Sequence, residues 1–455
     1  MYYFQFGLYF FSFLLTESVI NDRAVDIVGG DYVNLIYAIG LFCTAFGYYL
    51  FSFIYQRTKK EFVISMCVAT TIAALFTAFI FNPVVYLISA YVCLISFGYL
   101  GSYAHYQISL YNNKPHFTFN IGTVMALAII LQFLIQLFKG NQIIFVISIS
   151  VSAFLFAVMK KREERDTDLK TSDTTLITEH QKVILFSRNM IVCIMMVAIM
   201  SMILGIEDSI MVYKNAAGEL ALFSGIRLFY AFGLFVAGAI AEIKDRIFLP
   251  LSTVCAVMLS TVVITFLSGD SLSYNLSMGF MYFYSGFYVI YLTLIFVDMA
   301  SRMRNGRLIA GVGRIVRSIT TAVIVILISV LGNSLNYTIC NVVNCILSIF
   351  IIGLFAVSEM LKSKADNEID YNCHEIKEIN NQERYEEFCN YYHFTEKEKE
   401  SFVLLISTED TVQKIADDMG ISRRVLQRHI SSMYEKTETQ TRVGLLMAYA
   451  KYLEG

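Results

Sequence analysis

Apolar residues do not scatter along this chain; they come in long blocks cut by short polar ones. Stretches long enough to cross a bilayer run roughly 2–16, 33–55, 62–81, 84–103, 117–138 and 142–159. A second group runs 183–205, 220–241, 248–268, 273–297, 308–331 and 335–357. A membrane-spanning helix needs about 20 apolar residues. The blocks show no alternation of period two, so helices are expected rather than barrel strands. The pattern predicts an all-α protein with about twelve spans over residues 1–357, divided six and six by the polar segment 160–181. The first block is short, and no basic residue precedes it, so it reads as a span and not as a cleavable signal.

Charge placement adds an orientation. "YQRTKKE", "KKREERD", "EIKDR" and "SRMRNGR" all fall on one side if the spans alternate. "ESVINDRAVD", "FNP", "KGNQ" and "SGD" fall on the other and are poor in cations. Cationic loops mark the cytoplasm. Both ends of the chain are therefore expected there, with the bundle in the cytoplasmic (inner) membrane.

Composition agrees with a bilayer as solvent. The 455 residues are 56% hydrophobic and 16% charged, against about 25% charged in soluble domains. The formal net charge of -2 excludes nothing. There is no Trp, so the 29 tyrosines would have to serve at the membrane interfaces. Seven of the nine cysteines lie inside apolar runs and read as packing. Cys373 and His374 read as an exposed linker pair rather than a metal site, because no second ligand pair lies near. GxxxxGK[ST], HExxH and GxSxG are all missing, so no enzyme, metal or cofactor is expected.

Ionisable groups inside spans are candidates for function. Glu207 and Asp208 end the seventh span, Arg227 lies in the eighth, His105 ends the fourth, and Gln132 and Gln136 sit one turn apart in the fifth. Glu207, Asp208, Arg227, His105 and Gln132 could line a cavity for a small molecule. Equally, Glu207 or Asp208 could pair with Arg227 to lock two helices. Arg314 and Arg317 lie in the eleventh span, and Arg314 is expected to snorkel to the cytoplasmic surface.

After 357 the composition turns polar. Residues 358–393 read as a cytoplasmic linker, with one exposed helix at most, and 394–455 as a folded domain. Thr395 stands three before Glu398, a capping box opening a helix over 396–406. A second helix covers 412–419 and stops at Gly420. Ser422 caps a third over 423–436, and Thr439 or Thr441 starts a last one over 442–452. "IADDMGISRRVLQRHI" is thus helix, tight turn, helix, the arrangement that places its second helix in the DNA major groove. Arg423, Arg424, Gln427, Arg428 and Ser431 would face outward. Arg can take guanine in a fork and Gln can take adenine. Lys436 and Arg442 would meet phosphates. The alternative is a protein-interaction bundle with these arginines as a solvated face.

Two resemblances follow from these residues. "FTEKEKESFVLL" followed by "IADDMGISRRVLQRHISSMYEKTETQTRVGLL" resembles the LuxR-type helix-turn-helix domain. Thr395, Glu398 and Glu400 match its opening, Ile415, Ala416, Ile421 and Ser422 its turn, and His429, Tyr434, Lys436, Arg442 and Leu445 its second half. Val425-Leu426-Gln427 stands where that family has Thr-Val-Lys. The resemblance implies a four-helix domain that binds double-stranded DNA and forms a homodimer through its last helix. Residues 1–357 resemble the major facilitator superfamily in their six-plus-six topology and in "GAIAEIKDR" after the eighth span. There Gly238, Glu242 and Asp245-Arg246 echo the family's loop signature; the first loop keeps only its cations. Together the resemblances imply a membrane-bound one-component transcription regulator that senses a small molecule. The other expectation is a secondary transporter with a regulatory tail.

Overall fold

The computed structural model describes residues 2–454 except 30–31, 55–60, 113, 138–141, 168–179, 217–224, 267–270, 304, 332–336 and 408–409. All regular structure among the described residues is helical. The chain divides into two compact units, Met1–Leu361 and Lys362–Gly455.

The first unit is a bundle built from α1 (Tyr2–Val28), α2 (Val33–Ile54), α3 (Glu61–Phe79), α4 (Pro83–Ser109), α5 (Phe117–Gln136), α6 (Gln142–Thr167), α7 (His180–Ala216), α8 (Leu228–Glu242), α9 (Phe248–Phe266), α10 (Ser271–Arg302), α11 (Gly306–Leu331) and the start of α12 (Tyr337–Tyr391). Among the described residues, ten helices are long and apolar enough to cross a membrane. The apolar stretches of α6 and α9, Gln142–Val158 and Phe248–Thr261, are shorter. The chain is a membrane protein by this measure. Large apolar side chains such as Phe46, Phe154, Ile349 and Phe350 are more than half exposed on the outside of the bundle. Water would penalise that surface by about 25 cal/mol per Å², and lipid would not.

The packing repeats with an offset of six helices. α2 packs on α4 as α8 does on α10, and α3 on α4 as α9 does on α10. α1 packs on α5 as α7 does on α11. The halves join by the same rule, α2 on α11 and α8 on α5. Glycines make the equivalent crossings possible. A Cβ on Gly47 of α2 would lie 2.9 Å from the Cα of Gly98 in α4. A Cβ on Gly286 of α10 would lie 2.5 Å from the backbone of Gly233 in α8. In lipid there is no hydrophobic drive between helices, so close backbone approach is what holds them.

One expectation needs correction here. The first apolar block was expected to end at 16, leaving "ESVINDRAVD" as a loop. α1 instead runs on to Val28. No Gly or Pro falls between Thr16 and Gly29, and Glu17 and Arg23 turn inward. Arg23 is 7% exposed and donates to the carbonyls of Thr77, Ala78 and Ile80, which end α3 without helical partners. Glu17 is thereby carried into the bundle.

The second unit has its own core. Phe402, Leu405, Ile415, Ala416, Leu426, Met433 and Leu445 are at most 1% exposed. They come from α13 (Glu396–Ser407), α14 (Val412–Asp418), α15 (Arg423–Lys436) and α16 (Arg442–Glu454). The segment expected as linker up to 393 is helical to Tyr391, and its last turns belong to this core. Phe388 is fully buried among Phe394, Phe402, Tyr449 and Tyr452. Tyr385 stacks on Phe402 and donates to the carbonyl of Lys399.

Candidate functional site

Two places concentrate chemistry, one in each unit. In the second unit, α14 is capped by Thr411 and α15 by Ser422, whose hydroxyls accept from Lys414 and Val425 at 3.4 Å. Between the helices Gly420 takes φ +64°, and Ile421 N–H donates to Ala416 O at 3.0 Å. That left-handed residue ends one helix and aims the next. Leu426, Ile430 and Met433 point into the core. Their burial leaves Arg423, Arg424, Gln427, Arg428 and Ser431 exposed. Positions 424, 427, 428 and 431 share one face of α15 at helical spacing. The result is a cationic, hydrogen-bonding ridge.

Lys436 and Arg442 are engaged elsewhere. Lys436 Nζ bonds Glu398 Oε2 at 2.6 Å and the carbonyl of His393 at 2.8 Å. Arg442 donates from Nε to Leu405 O and from Nη1 to Asp410 O, both at 2.8 Å. Both side chains therefore tie helices together within the unit. Glu398 also completes the capping box, accepting from Thr395 N at 2.7 Å while its own N–H reaches Thr395 Oγ1 at 3.4 Å. Burial opposes its charge, but bonds from Lys436, Ser432 and Thr395 outweigh burial and hold its carboxyl down at about 2.

In the first unit, polar groups from both halves meet inside the bundle. Glu17 comes from α1, Tyr37 from α2, Asp208 from α7, Arg227 from the 3-10 turn Gly225–Arg227, Tyr230 from α8, Tyr288 from α10, and Arg314 and Arg317 from α11. The charges of Arg317, Arg227 and Arg314 all act on Glu17. Those of Arg317 and Arg227 act on Asp208 and Tyr37 as well. Glu17, Tyr37, Asp208, Arg227 and Arg317 are half-buried, as side chains on a chamber wall are. Glu17 and Tyr37 also line a recess with Asn21, Thr44 and Leu94.

Of the five residues proposed for a ligand, Asp208 and Arg227 do share this chamber. His105 lies beside it, under Phe6, Tyr9 and Tyr48. Gln132 is fully buried and donates to Leu14 O at 2.9 Å, and Gln136 donates to Ser18 Oγ at 2.8 Å, so this pair ties α5 to α1. Glu207 is buried, with both carboxyl oxygens unpartnered among the described residues; its field partners are Asp208 and Tyr284. Neither Glu207 nor Asp208 forms a salt bridge among the described residues, so the alternative of a lock with Arg227 is not made there. Arg314 does not snorkel. It is 4% exposed and lies over the Phe10 ring at 5.5 Å. Glu17 and Tyr37 were missed because one was assigned to a loop and the other sits alone in an apolar run.

A clasp closes one end of the bundle. Arg246 pairs with Asp298 and donates to Asn112 O at 3.2 Å. Asn112 donates to Ser301 Oγ at 2.9 Å. Glu242 accepts from Thr118 Oγ1 at 2.6 Å and faces His116 at 3.4 Å. These bonds join the α4–α5 connection of the first half to the α8–α9 turn and the end of α10. The side chain of Asp245, the residues 55–60 of the first loop, and the side chains of Cys373 and His374 lie outside what is described.

No metal-ligating group of three or more His, Cys, Asp or Glu occurs among the described residues. No protein-family model matches the chain, and the comparison with curated proteins returns no match either.

Proposed function

We propose that this chain is a membrane-bound one-component transcription regulator. The exposed ridge of Arg423, Arg424, Gln427, Arg428 and Ser431 on α15 carries the proposal. It stands on a unit with its own core, joined in one chain to an apolar bundle. A ridge of this kind suits base edges in a major groove. The LuxR-type resemblance supplies the rest: a helix-turn-helix domain that reads promoter DNA as a dimer. Val443, Leu446 and Met447 of α16 support a dimer, since they lie on one face at 63%, 36% and 69% exposed. The bundle is the sensor, with twelve spans in a six-plus-six arrangement like that of the major facilitator superfamily. The six-helix offset in packing favours that arrangement. The protein sits in the cytoplasmic membrane with both termini in the cytoplasm. A small molecule in the chamber biases the bundle between two states and so alters dimerisation on DNA.

A second reading, a secondary transporter with a regulatory tail, is favoured by the chamber and by the clasp at one end. Genomic DNA selection separates the two. The full chain in nanodiscs and residues 362–455 alone are both tested, each beside an Arg424→Ala, Arg428→Ala variant. A discrete enriched site, lost in the double variant, is the expected result. No enrichment, even with a forced dimer, would transfer the bundle to transport and the ridge to partner binding.

A further inference from the structure

The chamber holds donors that no described residue satisfies. Arg314 Nε and Nη2 have no hydrogen-bond partner among the described residues, although the side chain is 4% exposed. These two N–H groups lie on the same edge of the guanidinium and point the same way. That edge is the fork that takes both oxygens of a carboxylate. A buried, unpartnered cation is costly, so such a group invites a ligand that completes it.

The surroundings extend the argument. His105 is fully buried, and its Nδ1 lies 2.7 Å from Gly101 O. A carbonyl only accepts, so Nδ1 carries a proton and Nε2, which has no partner, is the open nitrogen. The Tyr9 and Tyr48 hydroxyls are 2.5 Å apart, one bond for two hydrogens, so one O–H is left over. Ser102 Oγ is fully buried and also has no partner. It faces Tyr48 across Gly311, where a Cβ would meet both at 3.0 Å. Gly311 lies three residues before Arg314, on the same face of α11. Of these open groups, Arg314 Nε and Nη2 can only donate.

One turn further along α11, Arg317 stands half-buried on the chamber wall and forms no salt bridge among the described residues. Three guanidinium groups, of Arg227, Arg314 and Arg317, face two carboxylates, of Glu17 and Asp208. The rest of the lining is aromatic: Phe10 under Arg314 and the edge of Phe6 on His105, with centroids 4.9 Å apart.

We infer that the membrane unit binds a small organic carboxylate, held between Arg317 at the wall and the free fork of Arg314 one turn deeper, with its apolar body against the aromatic lining. This rests on the bundle being a ligand-binding half, as sensor or transporter. It assigns Arg314 and Arg317, with Ser102 and the Tyr9–Tyr48 pair, to the carboxylate. It places Glu17 and Asp208 where an amino group on the same ligand would lie.

The test is calorimetric titration of the full chain in nanodiscs with benzoate, propionate and glutamate. Benzamide serves as the neutral shape control, and inorganic phosphate and chloride as other anions. At least one carboxylate should bind and benzamide should not. Preference for glutamate over propionate would locate the amino group at Glu17 and Asp208; preference for benzoate would leave the carboxylate alone as the determinant. Arg317→Lys keeps the charge and removes the fork, and should weaken binding roughly 30-fold or more. Arg314→Gln should do at least as much, and Arg317→Lys remains informative if Arg314→Gln fails to fold. The inference is overturned if no carboxylate binds to the folded protein. It is equally overturned if both variants bind unchanged, or if phosphate and chloride bind as well as the carboxylates. No DNA enters this assay. A protein that selects DNA but ignores carboxylates sinks the ligand class alone, and a failed DNA selection leaves the titration standing.

Discussion

Glu398 is the most informative residue to change. Its side chain is 5% exposed and bonds Lys436 at 2.6 Å across 38 residues of sequence. Its carboxyl is held down at about 2 from 4.5. At about 1.4 kcal/mol per unit the shift has a ceiling of about 3 kcal/mol. Lys436 is 29% exposed, and water screens it, so about 1–2 kcal/mol is the expected share. The sign follows from linkage: a depressed carboxyl stabilises the fold above about 4.5, and that contribution fades as pH falls towards 2. Glu398→Gln keeps an acceptor for Thr395 and removes the charge. Urea unfolding of residues 362–455 should show the variant about 1–2 kcal/mol less stable at pH 7. The gap should close between pH 4.5 and 2, because other acids titrate alike in both proteins. A gap that is absent at pH 7, or that persists unchanged at pH 2, would refute the account.

Two further substitutions probe the folds themselves. Gly420→Val puts a β-branched residue at φ +64° with open space around its Cβ, so the backbone alone resists it. Urea unfolding should show a loss of about 1–2 kcal/mol, smaller for Gly420→Asn, and equal losses would contradict the turn's role. Gly122→Leu drives a Cβ to within 2.7 Å of Leu234 O, where α5 crosses α8. Thermal unfolding in nanodiscs should fall by the equivalent of about 1–3 kcal/mol, whereas Gly353→Leu, with nothing near, should match wild type.

Much of the local architecture was legible in the residues. Thr395 with Glu398, Ser422 and Gly420 speak through hydrogen bonds and dihedrals that span a few positions, and α13 to α15 begin or end where those residues say. The apolar blocks likewise report helices, because each must satisfy its own backbone in lipid. What stayed hidden depends on distant partners. Lys436 and Arg442 looked like free cations; Glu398 and the carbonyls of Leu405 and Asp410 that hold them are more than 30 residues away. Glu17 looked like loop because charge ended an apolar run, and only Arg227 ahead of α8 and the arginines of α11 explain why a helix carries it inward. Arg314 was expected at the surface, and no periodicity could have told that Phe10 and Tyr48 would enclose it. Phe388 was unreadable as core because its partners, Phe402, Tyr449 and Tyr452, come later in the chain.

That last contact decides what survives a break in the chain. A proteolytic cut between 362 and 384 releases a fragment that keeps Tyr385 and Phe388, and with them a closed aromatic core. A cut only a few residues later, after Phe388, strips the plug and leaves Phe402, Tyr449 and Tyr452 around a hole. The first fragment keeps a closed core; the second loses it. The site of scission, more than the length removed, sets whether the second unit stays folded on its own.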